Sequence, residues 1–438
     1  MRKNFYLTAL CTCLFLTSTG QTVEKLTVMT YNLLNYRNTT SSCTSSSNNP
    51  TTKEANLNTI VLYTQPDILV CQEIGGASAQ PVDQLLMNAL NINGETKYSK
   101  GNYTNNGSSS LVNMVYFDNT KLVLASQDFI NKDLSGNNLV RLIDVYRFYY
   151  KDPLLNKQSD TVYITVLAAH LKAGQGGSNE IQRKDATAAV MSYVQGNVSD
   201  DNVIFCGDFN IYKSQELAYQ NLINHSNSTY NFFDPINRPG VWNNNSTFAD
   251  VHTQSTRSSS TNSGCFSGGG LDDRFDQLLV SSAIMNNTDR VKFVTNSYRA
   301  LGNDGLHFNQ DIKNGSNNSA PSSIINALYD LSDHLPVLME LDIAKMTIGV
   351  DETTLNTSDV LFENPVNDIL NIRLNQSSLA ETSRVIDLQG RILAECQFNA
   401  DVAKVYCEMN VSHLPKGAYL LQIATKDGKT VQQKFLKN

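Results

Sequence analysis

A chain of 438 residues with a net charge of −7 is too long for one small domain and too acidic for a protein that grips nucleic acid by neutralising many phosphates. Hydrophobic residues make up 41% and charged residues 17%, enough apolar material for packed cores, which excludes global disorder. The acidic balance leaves room for an enzyme that binds a polyanion weakly and turns it over.

Taken in order, the chain opens with Arg2 and Lys3, the apolar run FYLTALCTCLFL, and the small residues TSTG before Gln21. A positive start, an apolar stretch and a small-residue exit describe a secretory signal over residues 1–20. The run is shorter than the ~20 apolar residues that span a bilayer, and no later segment is long enough, so no transmembrane span is expected. From Lys25 to about Ala344 the pattern alternates strand and helix. KLTVMTYNLLNY reads as a strand, Glu54 to Gln65 as a helix, DILVCQEI as a buried strand ending in an acid, and VDQLLMNALNI as a second helix. LVNMVYF, KLVLASQDF and LVRLIDVYRFYY follow as strands, then TVYITVLAAHL as a long β-branched one. SNEIQRKDATAAVMSYVQ reads as an amphipathic helix capped by Ser178, with Glu180 in its first turn. VIFCGDFNI, RFDQLLVSS and LPVLMELDI complete the set. Many strands and few helices predict an α+β fold of two β-sheets packed face to face with helices outside.

Two polar stretches, near residues 38–52 and 253–270, read as surface loops, either the rim of a site or plain decoration. After Ala344 the texture changes. Residues 346–359 read as a linker, and 360–438 as a small all-strand unit with turn signals at ENP, LQG, LPKG and KDG and no cluster of acids or histidines. Catalysis is therefore assigned to residues 21–345. Beyond the signal, the cysteines are Cys43, Cys71, Cys206, Cys265, Cys396 and Cys407, and their connectivity is not readable from spacing. Cys43 with Cys265, in the Ser-rich loops, and Cys396 with Cys407, close in the chain, are candidate pairs. Cys71 and Cys206 sit in apolar strands and read as buried thiols. No spacing resembles a zinc site.

Several apolar strands end in polar residues of an unusual kind. Asn32 follows TVMTY, Glu73 follows DILVCQ, His170 follows TVYITVLAA, Asp208 and Asn210 follow VIFCG, and Asp333-His334 precede LPVLMEL. A lone Asn or Asp at a strand end is ordinarily a turn residue. Glu, His and Asp-His at several ends together supply oxygen ligands for a hard cation and imidazoles for proton transfer. Mg2+ prefers oxygen ligands and keeps several waters, so one or two carboxylates suffice. It polarises a phosphoryl oxygen and stabilises the leaving oxygen. A histidine beside a carboxylate takes a proton from water, and Asn or a second His donates to the charge developing on phosphate. The set points to phosphoester hydrolysis.

The elements TYNLLNY, DILVCQEI, AAHLKAG, FCGDFNI, RFDQLLVS and SDHLPV, in this order over about residues 24–344, resemble the endonuclease/exonuclease/phosphatase superfamily. The resemblance implies a four-layered α/β/β/α sandwich and a divalent-metal cofactor, Mg2+ with Mn2+ or Ca2+ as alternatives. It implies that Glu73, Asn32 and Asp333 form the metal site, that His334 is the general base or an imidazolium facing phosphate, and that Asp276 accepts a hydrogen bond from His334. It further implies that Asp208 orients water or manages the leaving oxygen, that Asn210 holds a phosphate oxygen, and that His170 donates to phosphate. Gln277 departs from the family, which often has an aromatic residue there. Arg147 and Arg183 are weaker candidates for phosphate contact, with structural ion pairs as the favoured alternative. His252 and His307 are read as bystanders or substrate-rim residues.

ENPVNDILNI, VIDLQGRIL, LPKGAYLLQI and KFLKN, over about residues 360–438, resemble the sorting domain of type IX secretion. That implies type IX secretion machinery as a partner and a location outside the cell or at its surface. The leading expectation is a monomeric extracellular nuclease acting on phosphodiesters. The alternatives are a phosphomonoesterase or sphingomyelinase-like phospholipase, and a surface binding protein on an inactive scaffold.

Overall fold

The computed structural model describes residues 23–345 and 360–438, apart from 108, 154, 156–160, 375–379, 399–404 and 426–429. The expected signal over 1–20 and the linker over 346–359 lie outside the described residues. Among those described, no helix is long and apolar enough to cross a membrane. The chain divides into two units between Met346 and Thr347.

In the first unit the chain runs β1 (Val23–Tyr36), α1 (Pro50–Thr64), β2 (Ile68–Gly75), α2 (Gln80–Leu85, continued by a π turn over Leu86–Leu90), β3 (Tyr98–Lys100) and β4 (Leu111–Asp118). A hairpin of β5 (Leu122–Lys132) and β6 (Asn138–Tyr150) leads to β7 (Tyr163–His170), α3 (Gly177–Asn197), β8 (Val203–Asp208), α4 (Leu217–Ile223) and β9 (Phe232–Phe233). A long irregular stretch then precedes β10 (Asp276–Ser281), α5 (Ser282–Asn286), β11 (Val291–Phe293), β12 (Arg299–Ala300), α6 (Ser322–Leu331) and β13 (Val337–Ala344).

Two sheets result. One has the order β11-β13-β1-β2-β4-β3, with β12 on β13; the other has β5-β6-β7-β8-β10-β9. Their facing sides share one apolar core, with Val28, Ile68, Val70 and Met339 from the first sheet against Phe148, Ile164, Ile204 and Leu278 from the second. The outer face of the first sheet packs on α1, α2 and α6 through Leu57, Ile60, Val82 and Leu328. The outer face of the second packs on α3 and α4 through Val190, Val194 and Leu222. The unit is thus a four-layered α/β/β/α sandwich, in which apolar residues on both faces of the central strands are buried, as the near-continuous apolar runs require.

Helix boundaries differ from the sequence reading. Asn49 caps α1 by accepting the Thr52 N–H, and Pro50 occupies the first turn, so the helix starts before Glu54. The cap of α3 is Gly176, not Ser178, which lies within the first turn with Glu180. Helices α4 and α6 were not anticipated. The latter buries Ile324, Ile325, Ala327, Leu328 and Leu331 along one stripe.

The second unit contains β14 (Val360–Leu361), β15 (Ile369–Leu374), β16 (Ala380–Ile386), β17 (Ile392–Gln397), β18 (Val405–Asn410), β19 (Gly417–Thr425) and β20 (Thr430–Lys437). They form sheets β14-β15-β18 and β17-β16-β19-β20 around Leu370, Ile372, Val385, Leu421 and Phe435. The Cys396–Cys407 disulfide ties β17 to β18, one strand from each sheet.

Candidate active site

Strand direction gathers the strand-end residues. β1 and β2 are parallel, as are β7 and β8, so Asn32, Glu73, His170 and Asp208 all lie at carboxyl ends. β10 and β13 run antiparallel to their neighbours, so Asp276 and His334 sit where those strands begin. In register, Asp208 stands beside both His170 and Asp276. Six side chains from both sheets therefore converge on one edge of the sandwich.

Local backbone aims them. The β2–β4 register shifts between Cys71 and Ile74, and Glu73 adopts φ 59°. Asn210 adopts φ 53°. Left-handed backbone costs a non-glycine residue ~1–2 kcal/mol and persists only where the surroundings fix it. Glu73 is fixed by the Asn35 N–H, which donates to its Oε2 at 2.9 Å. Gly207 has a different reason: a Cβ there would lie 1.9 Å from the Ala169 carbonyl oxygen, so the close approach of β8 to β7 needs glycine before Asp208.

The side chains form one network. Asn32 Nδ2 donates to Glu73 Oε1 and Asp208 Oδ2, each at 3.0 Å, while its Oδ1 accepts the Leu34 N–H. His170 Nε2 lies 3.5 Å from Asp208 Oδ2 and 3.9 Å from Glu73 Oε1. His334 Nδ1 lies 2.7 Å from Asp276 Oδ2, and its Nε2 is 3.9 Å from Asp208 Oδ2. Asn210 donates through both its backbone N–H and its carboxamide to Asp208 Oδ1, so it braces Asp208.

The two imidazoles are driven apart in charge. Burial works against a charged His334, but the carboxylates of Asp276 and Asp208 outweigh it and hold the ring well above its ordinary range. Burial, the Arg141 guanidinium and the charge on His334 push His170 well below that range, so His170 is neutral. Burial raises Asp208, with Asp276 and Glu73 adding to the shift.

The donor set suits an oxygen-preferring cation. Glu73, His170 and Asp208 place ligand atoms within 4.8 Å of one another, as do Asp208, Asp276 and His334. Among the described residues no Lys or Arg forms an ion pair with Glu73 or Asp208, whose nearest charged or chargeable partners are the imidazoles of His170 and His334, whereas Asp276 is already paired with His334. Asp276 Oδ1 is buried with no hydrogen-bond partner.

Not every candidate joins this group. Asp333 is buried, but its Oδ2 accepts the Ser267 N–H and it belongs to neither ligand cluster; it anchors the 255–267 loop. Arg147 pairs bidentately with Asp200 at 2.7 Å and faces Thr165 in register, five residues before His170, or about 17 Å away at ~3.3 Å per residue. Arg183 is fully buried and bound to Glu216 and to the carbonyls of Lys172 and Gly174. Both arginines are structural. His252, bonded to the Trp242 carbonyl, and His307, held between Asp304 and the Asn314 carbonyl, are buried too and do not form a rim.

Two residues that the sequence pattern did not single out belong to the site. Arg141 donates to the His170 and Leu171 carbonyls, has no carboxylate partner among the described residues, and acts on Glu73 and Asp208 through its charge. Gln254 places Nε2 at 2.7 Å from His334 Nε2. Turning its carboxamide presents oxygen to a charged ring or nitrogen to a neutral one, so Gln254 satisfies His334 in either protonation state. Gln254 lies in the 253–270 stretch, where Thr253, Ser255, Thr256 and Arg257 are buried; this polar segment is built into the site wall.

The Cys43–Cys265 disulfide joins that segment to the loop after β1, with Leu34 and Phe266 packed around it. Asn48 and Lys53 hold the Leu33, Leu34 and Asn35 carbonyls at the end of β1, and Lys53 also holds Leu331 O. Burial lowers Lys53 to about 7. Cys71 and Cys206 are free and buried.

Comparison with known proteins gives the following. Residues 360–438 match the family described as the secretion system C-terminal sorting domain. No curated protein matches the chain. Solved structures similar to it include D. rerio TDP2 complexed with a single-strand DNA product, with 12% identity, 72% of this chain and 98% of that chain covered, and a TM-score of 0.45. An endonuclease/exonuclease/phosphatase family protein from Bacteroides thetaiotaomicron shares 14% identity over 74% of this chain and 99% of its own, with a TM-score of 0.44. The human Nocturnin catalytic domain with a bound sulfate anion shares 16% identity over 73% and 94%, with a TM-score of 0.44.

Proposed function

We propose that this protein is an exported, divalent-cation-dependent phosphoesterase that hydrolyses phosphodiester bonds, acting as an extracellular nuclease. The observation that carries this reading is the convergence of Glu73, Asp208 and Asn32 with two imidazoles of opposite charge state at one edge of the sandwich.

Glu73 and Asp208, with Asn32 beside them, are the residues that would hold Mg2+. A bound cation of this kind supplies charge neutralisation at a phosphoryl oxygen. The chain's own residues do the rest. Arg141 offers an unpaired guanidinium to the phosphate, and neutral His170 donates from Nε2 to an equatorial oxygen. His334, fixed in orientation by Asp276, exchanges a proton at Nε2, and Gln254 follows the change. Asp208, held by Asn32 and Asn210, orients the attacking water. The sorting-domain match supports export through type IX machinery.

The test is a substrate panel on the full chain with Mg2+ or Mn2+: plasmid DNA, RNA, sphingomyelin, nucleotides and a chromogenic phosphodiester. Cleavage of nucleic acid is expected, with turnover lost in Glu73→Ala and His334→Ala while circular dichroism and Tm are retained. Preference for monoesters or sphingomyelin would move the reading to the two enzymatic alternatives. Inactivity towards every phosphoester would leave only a binding role for this scaffold.

A further inference from the structure

Adjoining the site and sharing Arg141 and His170 with it, a cavity of about 310 Å³ opens between the β5–β6 turn, the end of β7 and α3. Its inner end is formed by Arg141, His170 and Lys172. Its floor is aliphatic, made by the buried Leu139, Ile143, Leu171 and Ala186. Its rim carries the carboxamides of Asn138 and Gln182, both exposed and, among the described residues, both without a side-chain hydrogen bond.

We propose that this cavity is the subsite for a purine base joined through its sugar to the phosphate under attack. The inference rests on the phosphoesterase reading and names its substrate class. His170 and Arg141 belong both to the cavity and to the phosphate position, so whatever enters the cavity is attached to the group that reacts. Arg141 and Lys172 carry no ion-paired carboxylate among the described residues, which suits an anion at the inner end. An aliphatic floor accepts the flat face of a heterocycle. Free carboxamides match the adjacent donor and acceptor on the adenine edge, the pairing that Asn and Gln make with adenine elsewhere. The volume stands at the small end of ligand pockets, about 300–1,000 Å³, and fits one nucleoside. An acyl chain would leave the carboxamides and both cations without partners.

The test uses the full chain and two variants. Asp185→Trp fills the cavity from α3, where Asp185 lines the wall and pairs with the half-buried Lys184. Gln182→Ala removes one rim carboxamide. KM and kcat are measured on an adenine dinucleotide and on methyl 4-nitrophenyl phosphate, and adenosine 5′-monophosphate binding is measured by calorimetry with inorganic phosphate as the control. Asp185→Trp is expected to raise KM for the dinucleotide at least tenfold, to weaken the monophosphate by a similar factor, and to leave the small ester within twofold. Gln182→Ala is expected to weaken the monophosphate several-fold and inorganic phosphate not at all. Equal effects on both esters, or none on either, would overturn the subsite. Binding of the monophosphate that Asp185→Trp abolishes would support it even if no phosphoester were cleaved. A cleaving enzyme whose affinity for the monophosphate matches that for inorganic phosphate would overturn the subsite alone.

Discussion

Replacing Asp276 by Asn keeps the shape of the contact with His334 and removes its charge. The contact is 2.7 Å between Oδ2 and Nδ1, and Asp276 is fully buried, so salt screens it little. With charge centres roughly 4 Å apart and an effective dielectric constant of ~20, the attraction is ~4 kcal/mol, or about 3 pKa units on the imidazole. Burial would then be opposed by Asp208 and Asp333 alone, and His334 would titrate well below its position in the parent. Asn also presents either oxygen or N–H to Nδ1, so the ring is no longer held in one tautomer. Together these changes should lower kcat by ~10²–10⁴ and move the His334 limb of the kcat/KM profile to lower pH. The assay is a pH–rate series on a chromogenic phosphodiester, paired with an NMR titration of the histidine ring. A profile that stays in place with less than a threefold loss would refute the role assigned to the Asp276–His334 pair.

Arg141→Met should lower kcat/KM by about 10–100-fold, the weight of a charge-assisted hydrogen bond, with little change in Tm. Arg183→Met should do the reverse: it strands the buried Glu216 and costs ~3–5 kcal/mol in urea unfolding, which a silent variant would contradict. Burial pushes Asp144 up to about 7, whereas an unfolded Asp titrates near ~3.9. Between those values the folded state keeps a proton that the unfolded chain has lost, so stability present below pH ~4 declines as pH rises towards ~7, by up to ~4 kcal/mol. Tm should therefore fall less between pH 5 and pH 8 in Asp144→Asn than in the parent, and parallel curves would exclude this account. Opening the Cys43–Cys265 link by Cys265→Ser should cost about 2–4 kcal/mol and expose the loop after β1 to protease, which limited proteolysis reads directly.

How much of this was legible in the sequence depended on what surrounds each residue in the chain. Asn32, Glu73, His170, Asp208, Asp276 and His334 each interrupt or border an apolar β run, and the fold brings all of them to one edge. Local pattern carries that signal, because strand ends in a sandwich meet at its edges. Arg147 and Arg183 look alike in sequence terms, but their charges are met by Asp200 and Glu216, 53 and 33 positions away, which no local pattern reports. Arg141 lies in the same strand as Arg147 and differs only in lacking such a partner. Gln254 sits among serines and threonines of a stretch whose composition signals exposure; that stretch is drawn in by hydrogen bonds from Thr253 and Gln254 to the Asp273 carbonyl, from Thr256 and Ser267 to Asp333, and by the Cys43–Cys265 link. Helix α6 was missed because its ten residues are short and end directly at Ser332.

The convergence of strand ends from both sheets also sets when the site comes into being. Asn32 bonds to Asp208 across 176 positions, and Ser332 donates to the Asn32 carbonyl across 300. Loops of that length are closed only after local helices and hairpins have formed, and topologies dominated by such pairings fold slowly. Catalytic competence is therefore a late-arriving property of the chain. In refolding, the far-ultraviolet helical signal should recover first and turnover last, which makes turnover a measure of completed long-range closure.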